Sequence, residues 1–145
     1  MSNNIKISFD VFDNSFFESI PGHEQVSIKK DGVYHNFLVG GERAGVVGFI
    51  PTQNNRGEKL YFVQIALSDK FRGKGLTKLA EDLLAEKYDI PILYATIEKD
   101  NEASIKAHLK AGFQEMEEET LDSLYKNGFL RVSQTRLFKR FKPTQ

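Results

Sequence analysis

The 145-residue chain has no cysteine and no tryptophan. Without cysteine there is no disulfide, no thiolate metal site and no cysteine nucleophile. Net charge is missing as well, because 20 Lys and Arg balance 20 Asp and Glu. Such a balance argues against a protein dominated by binding to nucleic acid or to anionic membrane. No apolar run approaches the ~20 residues of a membrane-spanning helix. The opening MSNNIKISFD is polar and carries no apolar signal core. Repeats, low-complexity tracts and long linkers are also absent. One domain over residues 1–145 is therefore expected, in the cytoplasm, with no nucleic-acid or membrane partner.

What is present is 40% hydrophobic residues, enough for a core. IKISF (5–9) alternates as a first strand would, and DNSFFESI (13–20) suits a short helix capped by Asp13 or Asn14. VYHNFLVGG (33–41) and AGVVGFIP (44–51) read as strands around a turn at residues 40–43. KLYFVQIAL (59–67) is apolar enough for a central strand. From Leu76 the spacing of Leu76, Leu79, Ala80, Leu83 and Leu84 predicts one helix face. ILYATI (92–97) is a further strand. Asp100-Asn101 offers the start of a helix that runs to a terminal glycine, Gly112, with Ile105, His108 and Leu109 on one face. FQEM (113–116) and FLRVSQTRLF (129–138) are expected to close the sheet, with the acidic stretch 117–127 between them unassigned. A strand-helix-strand unit requires a parallel pair, so a mixed α/β sheet is expected.

The stretch SDKFRGKGLTKLAEDLLAEK (68–87) carries the chemical signal. A strand that ends in a glycine turn and opens a helix leaves free amides at the positive end of a helix dipole, which suits an anion. Gly73 and Gly75 keep Cβ atoms away from such a ligand, and Lys70, Arg72, Lys74 and Lys78 surround it with positive charge. It is not a P-loop, because Lys70 stands where the first glycine belongs. It is not a dinucleotide fingerprint, because Lys78 stands where the third belongs.

About thirty residues on comes NEASIKAHLKAGF (101–113). Together with the basic-x-x-Gly-x-Gly loop and GERAGVVGFI (41–50), it resembles the GCN5-related N-acetyltransferase family over residues 40–116. The resemblance implies a mostly antiparallel twisted sheet of six to seven strands with about four helices, in which strands four and five splay apart. It implies acetyl-CoA as cosubstrate, no metal, and direct transfer of the acetyl group to an amine in a ternary complex. The implied cofactor contacts are Ile65, Ala66 and Leu67 for the pantetheine arm. Lys70, Arg72, Gly73, Lys74, Gly75, Leu76 and Thr77 are those for the pyrophosphate. Asn101 and Ser104 follow at the head of the next helix.

Two departures from the family pattern bear on catalysis. His108 stands where the family usually has a tyrosine, which is thought to protonate the departing thiolate. A neutral imidazole keeps one N–H donor, so His108 is the expected replacement. The fourth strand also lacks the glutamate that many members use as a base. Gln64 and Tyr61 are the polar residues left there, with Glu58 and Glu98 at strand ends. These departures motivate a rival reading, a non-catalytic acyl-CoA-binding or regulatory module. The acidic EMEEE (115–119) and basic RVSQTRLFKRFK (131–142) read as solvated faces. His23 and His35 have no ligand spacing, and homodimerisation through sheet edges is left open.

Overall fold

The computed structural model describes residues 6–142. Seven strands, β1 (Ile7–Val11), β2 (Val33–Val39), β3 (Glu42–Gln53), β4 (Lys59–Leu67), β5 (Ile92–Glu98), β6 (Gln114–Glu115) and β7 (Gln134–Arg140), form one sheet. Their order is β1-β2-β3-β4-β5-β7-β6, and only β4 and β5 run parallel. Four helices, α1 (Asn14–Glu18), α2 (Leu76–Tyr88), α3 (Glu102–Lys110) and α4 (Glu118–Lys126), complete the fold. This is the mixed, mostly antiparallel architecture expected.

β3 is buried without a break from Ala44 to Phe49, because both of its faces are covered. Val47 and Phe49 point into a core shared with Val63 of β4, Leu93 of β5 and Ala80 and Leu84 of α2. Val46, one residue out of phase, faces the other way and packs with Phe17 and Ile20 beside α1. Asp13 caps α1 by accepting from the amides of Ser15 and Phe16, at 2.9 and 3.4 Å.

Several boundaries differ from the sequence reading. The first strand starts at Ile7, and its expected beginning at residue 5 lies outside the described residues. The stretch 117–127, unassigned from the sequence, holds helix α4, with Leu121, Leu124 and Tyr125 turned partly inward. The last strand consequently begins at Gln134 rather than residue 129, because a turn must first bring the chain off α4. The Tyr125 hydroxyl donates to the Gln134 carbonyl at 2.6 Å and pins that turn to the strand.

The buried face of α2 is also rotated from the expected leucine stripe. It comprises Leu76, Thr77, Ala80, Glu81, Leu84 and Ala85, while Leu79 and Leu83 are half-exposed. A carboxylate enters the interior only with a partner, and α3 supplies one. On α3, His108 is buried while Leu109, expected on the same face, is 41% exposed.

Candidate functional site

β4 and β5 are paired at only two positions, Tyr61 with Leu93 and Phe62 with Tyr94. Beyond Phe62 they part. On its other edge β4 stays in register with β3 through Leu67, where Ile65, Ala66 and Leu67 face Val47, Val46 and Gly45. The edge of β4 that faces β5 therefore carries no strand partner from Val63 to Leu67. Two parallel strands that separate at their carboxyl ends leave a wedge with free backbone donors and acceptors on one wall. An extended chain bearing amides could add itself there as a strand would.

Both helices that flank the wedge begin at its open end, α2 after β4 and α3 after β5. The α2 terminus is shaped by two residues in the left-handed region, Gly73 at φ 73° and Gly75 at φ 74°. A Cβ at either position would meet nothing within 4 Å, so the glycines are required by the backbone turn and not by crowding. No side chain caps α2, and its first turn carries no acidic residue. The leading amides of the helix therefore have no intrahelical acceptor, and the dipole is not offset. Such a terminus can receive an anion on backbone amides alone.

The basic residues around it have separate tasks. Lys70 is paired with Glu42 at 2.8 Å, and Lys78 with Asp82 at 2.7 Å. Arg72 is a junction. Its guanidinium bonds the Leu67 carbonyl at 3.1 Å, Asp69 at 2.7 Å and the Pro21 carbonyl. It thus ties the glycine loop to the end of β4 and to the segment after α1.

That segment, residues 21–29, is held at two more points. Asn101 caps α3 by accepting from the Ser104 amide at 3.2 Å, and its side-chain nitrogen lies 3.5 Å from the Gln25 oxygen. Gln64 donates to the Ser27 carbonyl at 2.9 Å and accepts from the Tyr34 hydroxyl, which itself accepts from the Lys29 amide at 2.9 Å. Burial pushes the Tyr34 phenol above its ordinary range, against the lowering effect of the Lys29 bond. It therefore stays protonated and keeps donating.

The three candidate catalytic side chains do not converge. Residues 61 and 64 lie out of phase on β4, so Tyr61 joins the α2 side of the sheet and Gln64 the α1 side. Glu58 accepts from Asn54 at the far end of β4, and Glu98 from Ser133. His108 is 4% exposed, with both ring nitrogens engaged. Nδ1 lies 2.9 Å from the Ser104 carbonyl oxygen, which only accepts, so Nδ1 carries a proton. Nε2 lies 2.8 Å from a Glu81 carboxylate oxygen. Burial works against the imidazolium. The Glu81 charge, its hydrogen bond and the Ser104 carbonyl outweigh that and hold His108 above its ordinary pKa. A bond from His108 to a thiolate would have to break one of these contacts.

Glu81 is the residue that sequence reasoning missed. It is fully buried, and its second carboxylate oxygen has no partner among the described residues. The available signal was its spacing from Thr77, Ala80 and Leu84, which is that of a helix face.

Residues 7–113 match the model of the Acetyltransferase (GNAT) family. Among solved structures, the Bacillus subtilis acetyltransferase in complex with CoA has a TM-score of 0.65 at 17% identity, over 96% of this chain and 100% of that one. The Campylobacter jejuni N-acetyltransferase PseH in complex with acetyl coenzyme A gives 0.63 at 13% identity, over 94% and 100%. Arabidopsis thaliana Naa50 in complex with the bisubstrate analogue CoA-Ac-MVNAL gives 0.60 at 14%, over 94% and 100%. At these identities the likeness is one of fold. No curated relative matches the chain.

Proposed function

The chain belongs to the acetyltransferase (GNAT) family, and from that premise we propose that it transfers the acetyl group of acetyl-CoA to a primary amine by direct attack in a ternary complex. One observation carries the reading: the unpartnered edge of β4 and the uncapped, glycine-led start of α2 lie at the same open end of the wedge. An amide-bearing arm with a diphosphate at one end has the chemistry to occupy both. Ile65, Ala66 and Leu67 would pair with the arm, and the amides from Arg72 to Thr77 would hold the diphosphate. In this reading Lys74, exposed and without an ion pair among the described residues, meets the phosphates. Lys70 and Arg72 shape the loop while adding their charge, and Asn101 and Ser104 bound the arm at the start of α3.

The segment 21–29 covers the acceptor side. Its anchoring through Gln64 and Tyr34 gives Gln64 the role of holding the wall that the amine meets. With the wedge closed around it, the amine is placed against the thioester, and positioning supplies much of the rate. The cytoplasm remains the proposed compartment.

A second reading, an acyl-CoA-binding module without turnover, is favoured by the engagement of both His108 nitrogens and of the Gln64 amide. Two measurements separate the readings. Acetyl-CoA, and neither ATP nor NAD, is expected to raise the melting temperature. Free thiol release across a panel of amines is then expected for the transferase. Protection without release on any amine would leave the binding module.

A further inference from the structure

The polar residues between α2 and α3 form a line. Thr77 and Glu81 are four apart on α2, and Ser104 and His108 four apart on α3, so each pair shares a helix face. Glu81 touches His108, which sets those two faces against one another. Thr77 and Ser104 therefore lie one turn nearer the helix starts, where the wedge opens. Ser104 is half-buried, whereas His108 and Glu81 are closed off from solvent.

Ser104 contributes two acceptors to the same imidazole nitrogen. Its carbonyl oxygen lies 2.9 Å from Nδ1 and its hydroxyl oxygen 3.5 Å away. The Nδ1 proton can pass from one to the other by a small tilt of the ring. Behind the ring, Glu81 holds Nε2 with one oxygen and keeps its other oxygen unpartnered. When Nδ1 gives up its proton, Nε2–H still donates to Glu81, so the carboxylate keeps that hydrogen bond throughout.

We propose that Ser104, His108 and Glu81 form a proton relay in which the Ser104 hydroxyl, and not the imidazole, hands the proton to the departing thiolate. The relay rests on the acetyltransferase reading. As the amine nitrogen bonds to the carbonyl carbon, the carbon–sulfur bond breaks and sulfur takes the electron pair. Sulfur receives the hydroxyl proton of Ser104, and Ser104 takes the Nδ1 proton of His108. The imidazole recovers a proton by way of the half-buried Ser104, from the water to which the amine has released one. Overall, one proton leaves nitrogen and one arrives on sulfur. Ser104 is then the catalytic residue, and His108 and Glu81 act through it.

The test compares wild type with Ser104→Ala and Ser104→Thr, using acetyl-CoA and its selenium analogue acetyl-seleno-CoA. A selenol is a far stronger acid than a thiol and leaves without a proton. With acetyl-CoA, S104A is expected to lower kcat by about 100-fold with a far smaller change in KM for acetyl-CoA, and S104T to restore most of it. With the selenoester the loss should shrink to within about threefold, because no proton is then needed. An equal loss with both donors, an effect confined to KM, or turnover unchanged in S104A would each overturn the relay while leaving acetyl transfer standing. Wild type that releases neither thiol nor selenol on any amine would overturn the transferase reading and the relay together.

Discussion

The two sides of the sheet each carry one polar cluster, and the clusters differ in kind. On the α2–α3 side, Glu81 and His108 are a hydrogen-bonded carboxylate–imidazole pair sealed from water, joining two helices that follow neighbouring strands. On the α1 side, Tyr34, Gln64, Ser27 and Lys29 form a neutral, half-exposed set of hydrogen bonds that ties a loop to β4. The difference teaches which cluster is costly to change and which is not. A buried ion is costly to orphan, so the first cluster resists change. Neutral bonds near water are individually modest, so the second can vary at little cost.

Removing one member of the charged pair should have the largest effect. Glu81→Ala leaves an imidazole buried without its counter-charge and should cost roughly 3–5 kcal/mol, read as a lower urea midpoint. Replacing both residues, as in Glu81→Leu with His108→Phe, should recover most of that loss. A double variant as unstable as E81A would show that the pair is not what unites the helices.

The neutral cluster should yield less. Gln64→Leu removes the acceptor of Tyr34 and the donor to Ser27, at about 1–3 kcal/mol. Its clearer mark should be a raised KM for the amine with KM for acetyl-CoA unchanged. A rise confined to acetyl-CoA would move Gln64 to the other side of the wedge.

A smaller, graded effect follows from pH. His108 has a folded pKa above its unfolded value of about 6.5. The stability it contributes is fully present below that value and is lost as pH rises through the folded pKa, because the folded state then holds the extra proton. Wild type should therefore lose stability between neutral and alkaline pH, measured by urea unfolding, while the E81L/H108F double variant should lose less. Parallel pH profiles would sink the assignment of a charged imidazole.

The smallest change is expected at the surface. Lys70 and Glu42 are 67% and 54% exposed, so Lys70→Ala should shift stability by no more than about 0.5 kcal/mol. Arg72→Ala, which loses the bond to Pro21 at the junction with the segment after α1, should exceed it.

Most of the frame was legible from periodicity. Alternation and apolar runs placed β2 to β5, and the glycine loop with its downstream asparagine placed α2 and α3 within a residue. Helix α4 was missed because Glu, Asp, Ser and Thr dominate it and none of its residues is fully buried. Its only apolar marks are Leu121, Leu124 and Tyr125. The glycine turn and the start of α2 were readable because they are local, within ten residues. The His108–Glu81 contact was not, because it joins residues 27 apart on separate helices. The leucines drew attention to the wrong stripe of α2, since a glutamate reads as solvent-facing until its partner is known.

The two-residue seam between β4 and β5 has a consequence for how the molecule comes apart. Strands β1 to β4 and strands β5 to β7 are each stitched along their length, but among the described residues the halves share a core and only two backbone pairings, Tyr61–Leu93 and Phe62–Tyr94. The backbone there is a rivet, and the α2–α3 packing is the strap across it. Partial opening should therefore separate two slabs before either unravels, and amides deep within each slab should outlast those of residues 61–67 in hydrogen exchange. A cofactor lying in the wedge would then act as the missing rung and fuse two cooperative units into one.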